Sequence, residues 1–471
     1  MNAAFSTLPA QRIDAGGKPH VRLGEVFRLA APLMVTNAVQ ALLNLTDLWF
    51  IGRLSTDAVA ALGAIYWIMT CAILLFGGVG LAVQTFVAQA YGSRRGAYAS
   101  RALWNALWAS LALVPLFVGL AFAGPALLHP FGLDPHVEAL ALEYWMPRMG
   151  GAFIGSMGWA AMGFFNGISA VRFTMLVVVV TTIANAILNQ VFIFELGMGM
   201  KGSAWATNVA QIMGVALAMV LFLGGDVGRR YRARLMWRPR WSVILAQLRV
   251  GMPIGVMYGA DVLGLALSQM MIAQTSATGA AATQIVMALT SMAYMPTIGI
   301  ALAGTTLVGQ SIGAGDREWA NRLGNVIIAM CAALMAVVAI LLLVVGPWVV
   351  PLFVSSGGPS AGDVVTLGLT LLWPAAAYQI FDGLYCGSSF CLRGAGDTRV
   401  PAATALVLSW FLFVPLAHTL VFAPGRGWID GLPQYGLGAK GGWLALMIYC
   451  TLLGCSMFWR WRHGAWRGVK L

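Results

Sequence analysis

Three carboxylates lie within long apolar stretches of this 471-residue chain: Asp47, Asp261 and Asp382. The other acids fall in polar connections or at the ends of apolar runs, Glu195 among them. A charge deep in a bilayer is unfavourable by several kcal/mol unless it faces a cavity or a partner. None of the three has a basic residue one helical turn away. A carboxyl group withdrawn from water and from cations favours its protonated form. Such a group can take a proton from one side of a membrane and release it on the other. A Na⁺ ion or an organic cation would compete with the proton for the same oxygens, so binding one ejects the other. The bland alternative is a buried acid hydrogen-bonded to Ser, Thr or Asn to fix packing.

Polar neighbours recur at helical spacing. Tyr378 and Gln379 precede Asp382 by four and three positions and share its face. Asn185 and Asn189 are one turn apart in another apolar run. With Thr207 and Asp47 their oxygens form a set suited to a hard cation such as Na⁺. Spacing alone serves equally well for asparagines that hydrogen-bond neighbouring helices. Met257, Tyr258, Met292, Tyr294 and Met295 could line an adaptable pocket for hydrophobic cations, or simply pack. The six cysteines sit in apolar stretches without metal-ligand spacing, and the five histidines are scattered. Neither pattern supports a bound cofactor or a clustered enzymatic site.

The elements that position these residues follow from composition. The chain is 60% hydrophobic and 9% charged, against about 25% charged in soluble domains. Too little charge is present to cover a water-soluble protein of this size, and lipid-facing surface needs none. About 20 apolar helical residues cross a bilayer. Twelve such runs are expected, near 25–51, 57–90, 102–123, 138–167, 173–196, 201–224, 243–274, 280–312, 322–346, 364–392, 399–423 and 440–461. The reading is an all-α membrane protein with a multi-pass topology. The first polar residues contain Gly16, Gly17 and Pro19 and look like a tail before a retained span rather than a cleavable leader.

The net charge of +12 does not point to nucleic acid, because the basic residues lie in short segments between apolar runs. If the spans alternate, only Arg53, Arg148, Lys201, Arg426 and Lys440 reach one side; the remaining Lys and Arg reach the other. That bias orients both termini to the cytoplasm. Arg229, Arg230, Arg232, Arg234, Arg238 and Arg240 crowd the longest polar connection, read here as a linker at the cytoplasmic headgroups. The expected organisation is a tail (1–24), a first lobe (25–224), a basic linker (225–242), a second lobe (243–461) and a tail (462–471).

The two halves repeat. Sliding the first along the chain lays 78–101 on 299–322 without a gap, matching Gly78/Gly299, Thr85/Thr306, Gln89/Gln310, Gly92/Gly313 and Arg101/Arg322. The same offset matches Pro32 with Pro253, and a slightly longer one matches Pro147 with Pro374 and Gly167 with Gly394. Apolar composition alone would not place Pro, Gln and Arg in register. Six spans per half, an even number, make the repeat parallel about an axis along the membrane normal. Two such pseudo-symmetric six-helix lobes with a cleft between them can rock to face either side.

Four segments carry a resemblance to a known family: "PLMVTNAVQALLNLTDLWFIG" (32–52), "GVGLAVQTFVAQAYG" (78–92), "GMPIGVMYGAD" (251–261) and "YQIFDGLYCGSSFCLRGAGDT" (378–398). Together they resemble the multidrug and toxic compound extrusion (MATE) family, over nearly the whole chain. The resemblance implies a bacterial inner-membrane exporter with a V-shaped pair of lobes, exchanging cationic drugs for Na⁺ or H⁺. By motif, Asp47 matches the family's first-helix acid. Asn185, Asn189 and Thr207 match the polar residues that join it in a first-lobe ion site. Tyr144 resembles a tyrosine of the same cavity. Asp382 matches the tenth-helix acid, with Tyr378 beside it, and Asp261 matches a seventh-helix acid that is usually glutamate. Gln284 and Tyr294 fall where some members contact drug. One branch often has a second aspartate where this chain has Asn189, and the asparagine is more similar to the sodium-coupled branch.

The leading expectation is a monomeric antiporter for small cationic organic compounds, embedded in lipid. A lipid-linked saccharide flippase of the wider superfamily is the alternative within transport; the absence of a mid-span Arg or Lys in this reading counts against it. A membrane-embedded enzyme is the alternative of another class.

Overall fold

The computed structural model describes residues 8–14, 17–354 and 361–469. Lys470, counted above among the basic residues, lies outside them. Among the described residues, eleven helices are long and apolar enough to span a bilayer. They are α1 (Leu23–Gly52), α2 (Thr56–Gly92), α3 (Gly96–Phe122), α5 (Val171–Glu195), α6 (Gly199–Leu223), α7 (Trp241–Thr275), α8 (Ala277–Gly313), α9 (Arg317–Phe353), α10 (Ala361–Ala395), α11 (Arg399–Val421) and α12 (Gly438–His463). The remaining span, α4, is broken at Gly151 into Pro135–Gly150 and Ala152–Gly167. A Cβ on Gly151 would sit 2.3 Å from the Asn208 amide. That amide donates to Pro147 O at 2.6 Å, filling the break. Twelve spans are thus present, six per half, as the apolar runs require.

The repeat is visible in the helix ends. Ser55 caps α2 through Ala58 N (3.0 Å), and Ser276, its match in the second half, caps α8 through Gly279 N (3.1 Å). Each hydroxyl satisfies an amide that the first turn leaves unpaired. Left-handed turns also recur in register, at Arg94 and Gly315 after the second helix of each half and at Ser169 and Gly396 after the fourth.

On the side where the basic loops gather, the halves interlock about the same pseudo-twofold. Gln89 donates to Gly394 O (3.1 Å), and Gln310 donates to Gly167 O (2.8 Å). Thr85 donates to Arg393 O (2.9 Å), and Thr306 donates to Asn166 O (3.1 Å). Gly92 lies against Gln310 O and Gly313 against Gln89 O so closely that a Cβ at either would overlap the carbonyl, at 1.9 and 2.1 Å. Higher up, Gly78 meets Gly251 and Gly255 of α7, and Gly299 meets Met34 of α1. Small residues permit this approach, and Gln and Thr satisfy the exposed carbonyls. Each half lends a helix to the other here. Val26, Leu29, Ala30 and Leu33 of α1 pack in the core of the second half. Val250 and Ile254 of α7 pack in the core of the first. Among the described residues, these bonds and close glycine approaches between halves extend no farther from the basic face than Cys71, whose thiol reaches Gly259 O.

The polar segments are docked rather than loose. Before α1, strands β1 (Gln11–Ile13) and β2 (Pro19–Val21) form an antiparallel hairpin. It is pinned to α9 by the Trp319 indole donating to Pro9 O (2.9 Å). The connection between halves contains a short helix, Gly225–Arg230. It is strapped along α3, where Ser100, Trp104 and Trp108 donate to Tyr231 O, Ala233 O and Trp237 O. Backbone near lipid needs such donors because water is scarce there. At the C-terminus, Trp466 stacks on Trp461 with ring centroids 4.5 Å apart.

Candidate functional site

The intramembrane acids fall into two clusters, one per half. In the first, Asp47 projects from α1 and is 7% exposed. Asn189 of α5 donates its amide to Asp47 Oδ1 at 2.7 Å. The Thr207 hydroxyl of α6 lies 3.1 Å from both Asp47 Oδ2 and Ser203 O and donates to one at a time. Asn185 donates to Thr207 Oγ1 at 3.3 Å. An ionised carboxylate only accepts, so these contacts fix the amide orientation and turn the amide oxygens away from Asp47. Those oxygens, Asn185 Oδ1 and Asn189 Oδ1, are buried with no hydrogen-bond partner, as is Ser203 Oγ. Buried polar atoms are rarely left in that state without a functional reason.

The cluster borders a cavity of about 260 Å³ lying wholly within the first half. Asp47 and Thr207 line it with Gln40, Asn44, Tyr144 and Arg148. Thr182 Oγ1 and Gln211 Oε1, two further partnerless buried oxygens, belong to residues of the same wall. The cavity places Tyr144 beside the acid. It also corrects the reading of Arg148 as a charge of the outer loops. Its guanidinium donates to Asn208 Oδ1 (3.4 Å) and meets the Tyr144 hydroxyl, so one positive charge stands in the same cavity as Asp47.

The second cluster is built differently. Asp261 of α7 accepts from Tyr385 of α10 on Oδ2 (3.1 Å) and from Tyr449 of α12 on Oδ1. Tyr449 is 4% exposed and stacks on Phe413 of α11 at 5.0 Å. Asp382 lies within electrostatic reach of Asp261 but makes no hydrogen bond among the described residues. Tyr378, expected beside it, lies within electrostatic reach of Asp382 and also meets Thr290. Tyr258 and Tyr294 approach the pair, Tyr294 against the Cys386 sulfur.

Two expected residues fall elsewhere. Met257 is 5% exposed in the core of the second half, where Ser389 touches its sulfur at 4.0 Å. Gln284 is exposed and contacts Gln269 at 3.4 Å, without a bond to either acid. Conversely, Tyr385 and Tyr449 were not anticipated. Tyr385 follows Asp382 by three positions, which was a signal. Tyr449 is far from Asp261 in sequence, and nothing local links them.

A widened turn accompanies each cluster. The fifth helix of the first half passes into π-helix at Gln190–Glu195, immediately after Asn189. The fifth helix of the second half does so at Ser409–Phe413, where Ser409 donates to Ala260 O beside Asp261. Such turns are frequent at functional sites.

Arg393 is a further departure. Counted among loop charges, it is 6% exposed at the end of α10. It donates to Leu81 O across the halves, contacts the Tyr258 hydroxyl, and leaves Nε unpartnered. Its repeat equivalent, in the register that lays Gly167 on Gly394, is the neutral Asn166.

Among the described residues, twelve spans in two interlocked halves, each with acids inside its spanning helices, define a polytopic membrane protein of two repeated lobes. A family model described as MatE matches residues 32–191 and 253–419, and the chain belongs to that family. A probable multidrug resistance protein NorM of Burkholderia pseudomallei is 30% identical, covering 95% of this chain and 94% of that one. The corresponding protein of Mesorhizobium japonicum is 28% identical over 95% of this chain and 96% of its own. An outward-facing structure of a multidrug resistance MATE family transporter superposes with a TM-score of 0.79 at 22% identity, covering 94% and 96% of the two chains. That likeness concerns the fold.

Proposed function

We propose that the chain is a multidrug efflux antiporter, expelling cationic, amphipathic organic compounds in exchange for H⁺ or Na⁺. The proposal places it in a bacterial inner membrane as a monomer, with both termini and the basic face in the cytoplasm. Lobes 25–224 and 243–461 then rock about the interlock described above, with 225–242 as their link.

One observation carries the reading. Asp47 lines a cavity, and its neighbours Asn185 and Asn189 hold buried amide oxygens without partners. Rotation of each amide about its Cβ–Cγ bond would turn these oxygens toward the carboxylate, and that set of oxygens is the donor chemistry of a hard monovalent cation. Protonation of the carboxylate removes its charge and weakens that cradle, so H⁺ and Na⁺ compete. A cationic compound entering the same cavity would compete with both, which couples uptake of one to release of the other. Arg148 is held on Asn208 and Tyr144, leaving the Asp47 oxygens to Asn189 and Thr207. The acid opposite it distinguishes this cavity from the cationic one expected of a saccharide flippase. The interlock on the basic side fits a state open to the opposite face.

The test is efflux of an ethidium-type dye from proteoliposomes, with a proton gradient and a Na⁺ gradient imposed separately. One gradient or the other should drive dye movement. Equal dye movement with no gradient at all would refute antiport.

A further inference from the structure

A second, larger cavity of about 1600 Å³ opens on the basic face between the halves. Among the described residues its wall carries Arg28, Arg94, Arg95, Arg172 and Arg230, with Glu25 as the one acid lining it. These residues come from four separate stretches of chain: the start of α1, the α2–α3 turn, the start of α5 and the short helix of the linker. Glu25 is engaged by Arg22 at 2.7 Å. Among the described residues, Arg28, Arg95, Arg172 and Arg230 have no carboxylate within ion-pair distance. A topology bias explains the sign of such charges. It does not explain their convergence around one hollow, where like charges repel unless an anion joins them.

We infer that this hollow binds a phosphate-bearing anion, the headgroup of an anionic phospholipid from the adjoining leaflet. Arginine guanidinium groups match phosphate oxygens in pairs. Two features favour a lipid over free phosphate. The same turns of α1 that supply Glu25 and Arg28 expose Leu23 and Phe27, at 57% and 53%, which gives an acyl chain a surface to lie on. A hollow of this size also exceeds what an inorganic phosphate fills. The floor includes Gly92, Gln310 and Gly313, the residues at which the halves interlock. A lipid seated there touches both halves where they close and neutralises a basic mouth that would otherwise repel cationic compounds arriving from that side. The inference goes beyond the transport reading. It is tested in detergent, where neither the coupling ion nor the membrane orientation enters, so each can fail without the other.

The test uses the purified full chain titrated with short-chain phosphatidylglycerol, phosphatidylcholine or inorganic phosphate. Binding is read by native mass spectrometry and by thermal shift. Phosphatidylglycerol should bind saturably and raise the melting temperature, and the other two should not. The double variant R172Q/R230Q should weaken phosphatidylglycerol binding about tenfold or more. The control R317Q/R399Q removes the same charge from the same face but outside the hollow, and should bind as wild type. The single variant R172Q, with a smaller loss, stands in if the double variant fails to fold. Equal binding of phosphatidylcholine, equal binding of inorganic phosphate, or equal loss in the control pair would each overturn the inference.

Discussion

The two halves share a backbone plan and differ in how they hold an acid. In the first, Asp47 meets neutral amide and hydroxyl donors while the paired amide oxygens remain without partners. In the second, both oxygens of Asp261 accept from tyrosine hydroxyls. The register that lays Gly78 on Gly299 also lays Asp47 on Ser268 and Gln40 on Asp261, so the acids are not repeat equivalents. Duplication has kept the interlock, the caps and the widened fifth-helix turns, while the polar sites have diverged inside them. The first site keeps partnerless amide oxygens, the feature on which the proposed cation site rests. The second has a carboxyl whose oxygens are already occupied by donors, an arrangement suited to positioning rather than to holding a metal cation.

The contrast is sharpest under substitution of the acids themselves. Asp47→Asn should reduce gradient-driven dye efflux to background, while Asp261→Asn should leave a measurable remainder; both are read in everted vesicles at matched expression. Removing the amide ring comes next. Asn189→Leu takes away one donor and one free oxygen, and should weaken Na⁺ or dye competition at the first site about tenfold or more, measured by dye binding at increasing Na⁺. A smaller effect is expected from Tyr449→Phe, which removes one donor to Asp261. Transport should fall about three- to tenfold, with cation affinity at the Asp47 site unchanged. If that affinity moves as well, the two sites are not independent. The smallest effect belongs to Gln284→Ala. Its side chain lies away from both acids, so efflux of a small cationic dye should stay within about twofold of wild type. The pH dependence has a definite sign. Protons compete with Na⁺ for the Asp47 carboxylate, so apparent Na⁺ affinity should strengthen as pH rises and weaken as it falls.

Much of the fold was legible in the sequence because lipid imposes strong rules on composition. Long apolar runs gave the twelve spans, with ends displaced by several residues at α3 and α9. The fourth span was legible as a single run with Pro147 as a point of kinking, but the position of the break at Gly151 was not. Gly151 is required by the Asn208 side chain of another helix, and the local Pro147 and Gly150 cannot carry that contact. The repeat foretold Gly92/Gly313 and Gln89/Gln310 as matched positions. It could not tell that each Gly rests on the opposite Gln carbonyl, since that contact exists only between halves.

The sites were legible unevenly for the same reason. Asp47, Asn185, Asn189 and Thr207 were grouped as a set of oxygens and again through family resemblance, and the fold brings them together. Tyr378 and Gln379 share a helical face with Asp382 by spacing; Tyr378 does lie within its electrostatic reach while also meeting Thr290, and Gln379 is buried with a partnerless amide nitrogen. Arg148 and Arg393 were misplaced by the rule that basic residues near span ends sit in the headgroups. Long side chains can instead reach inward to a polar partner, as Arg393 does to Leu81 O. Tyr449 was invisible because its partner is remote in sequence.

Proton release offers the most direct check on competition at Asp47. Purified wild-type protein in weakly buffered detergent, held where Asp47 is partly protonated, should release protons on addition of Na⁺ or of an ethidium-type dye. Asp47→Asn should release none from this site. Identical release from both proteins, or none from the wild type at any pH between about 5 and 8 with either cation, would contradict the claim that one carboxylate trades one cation for another.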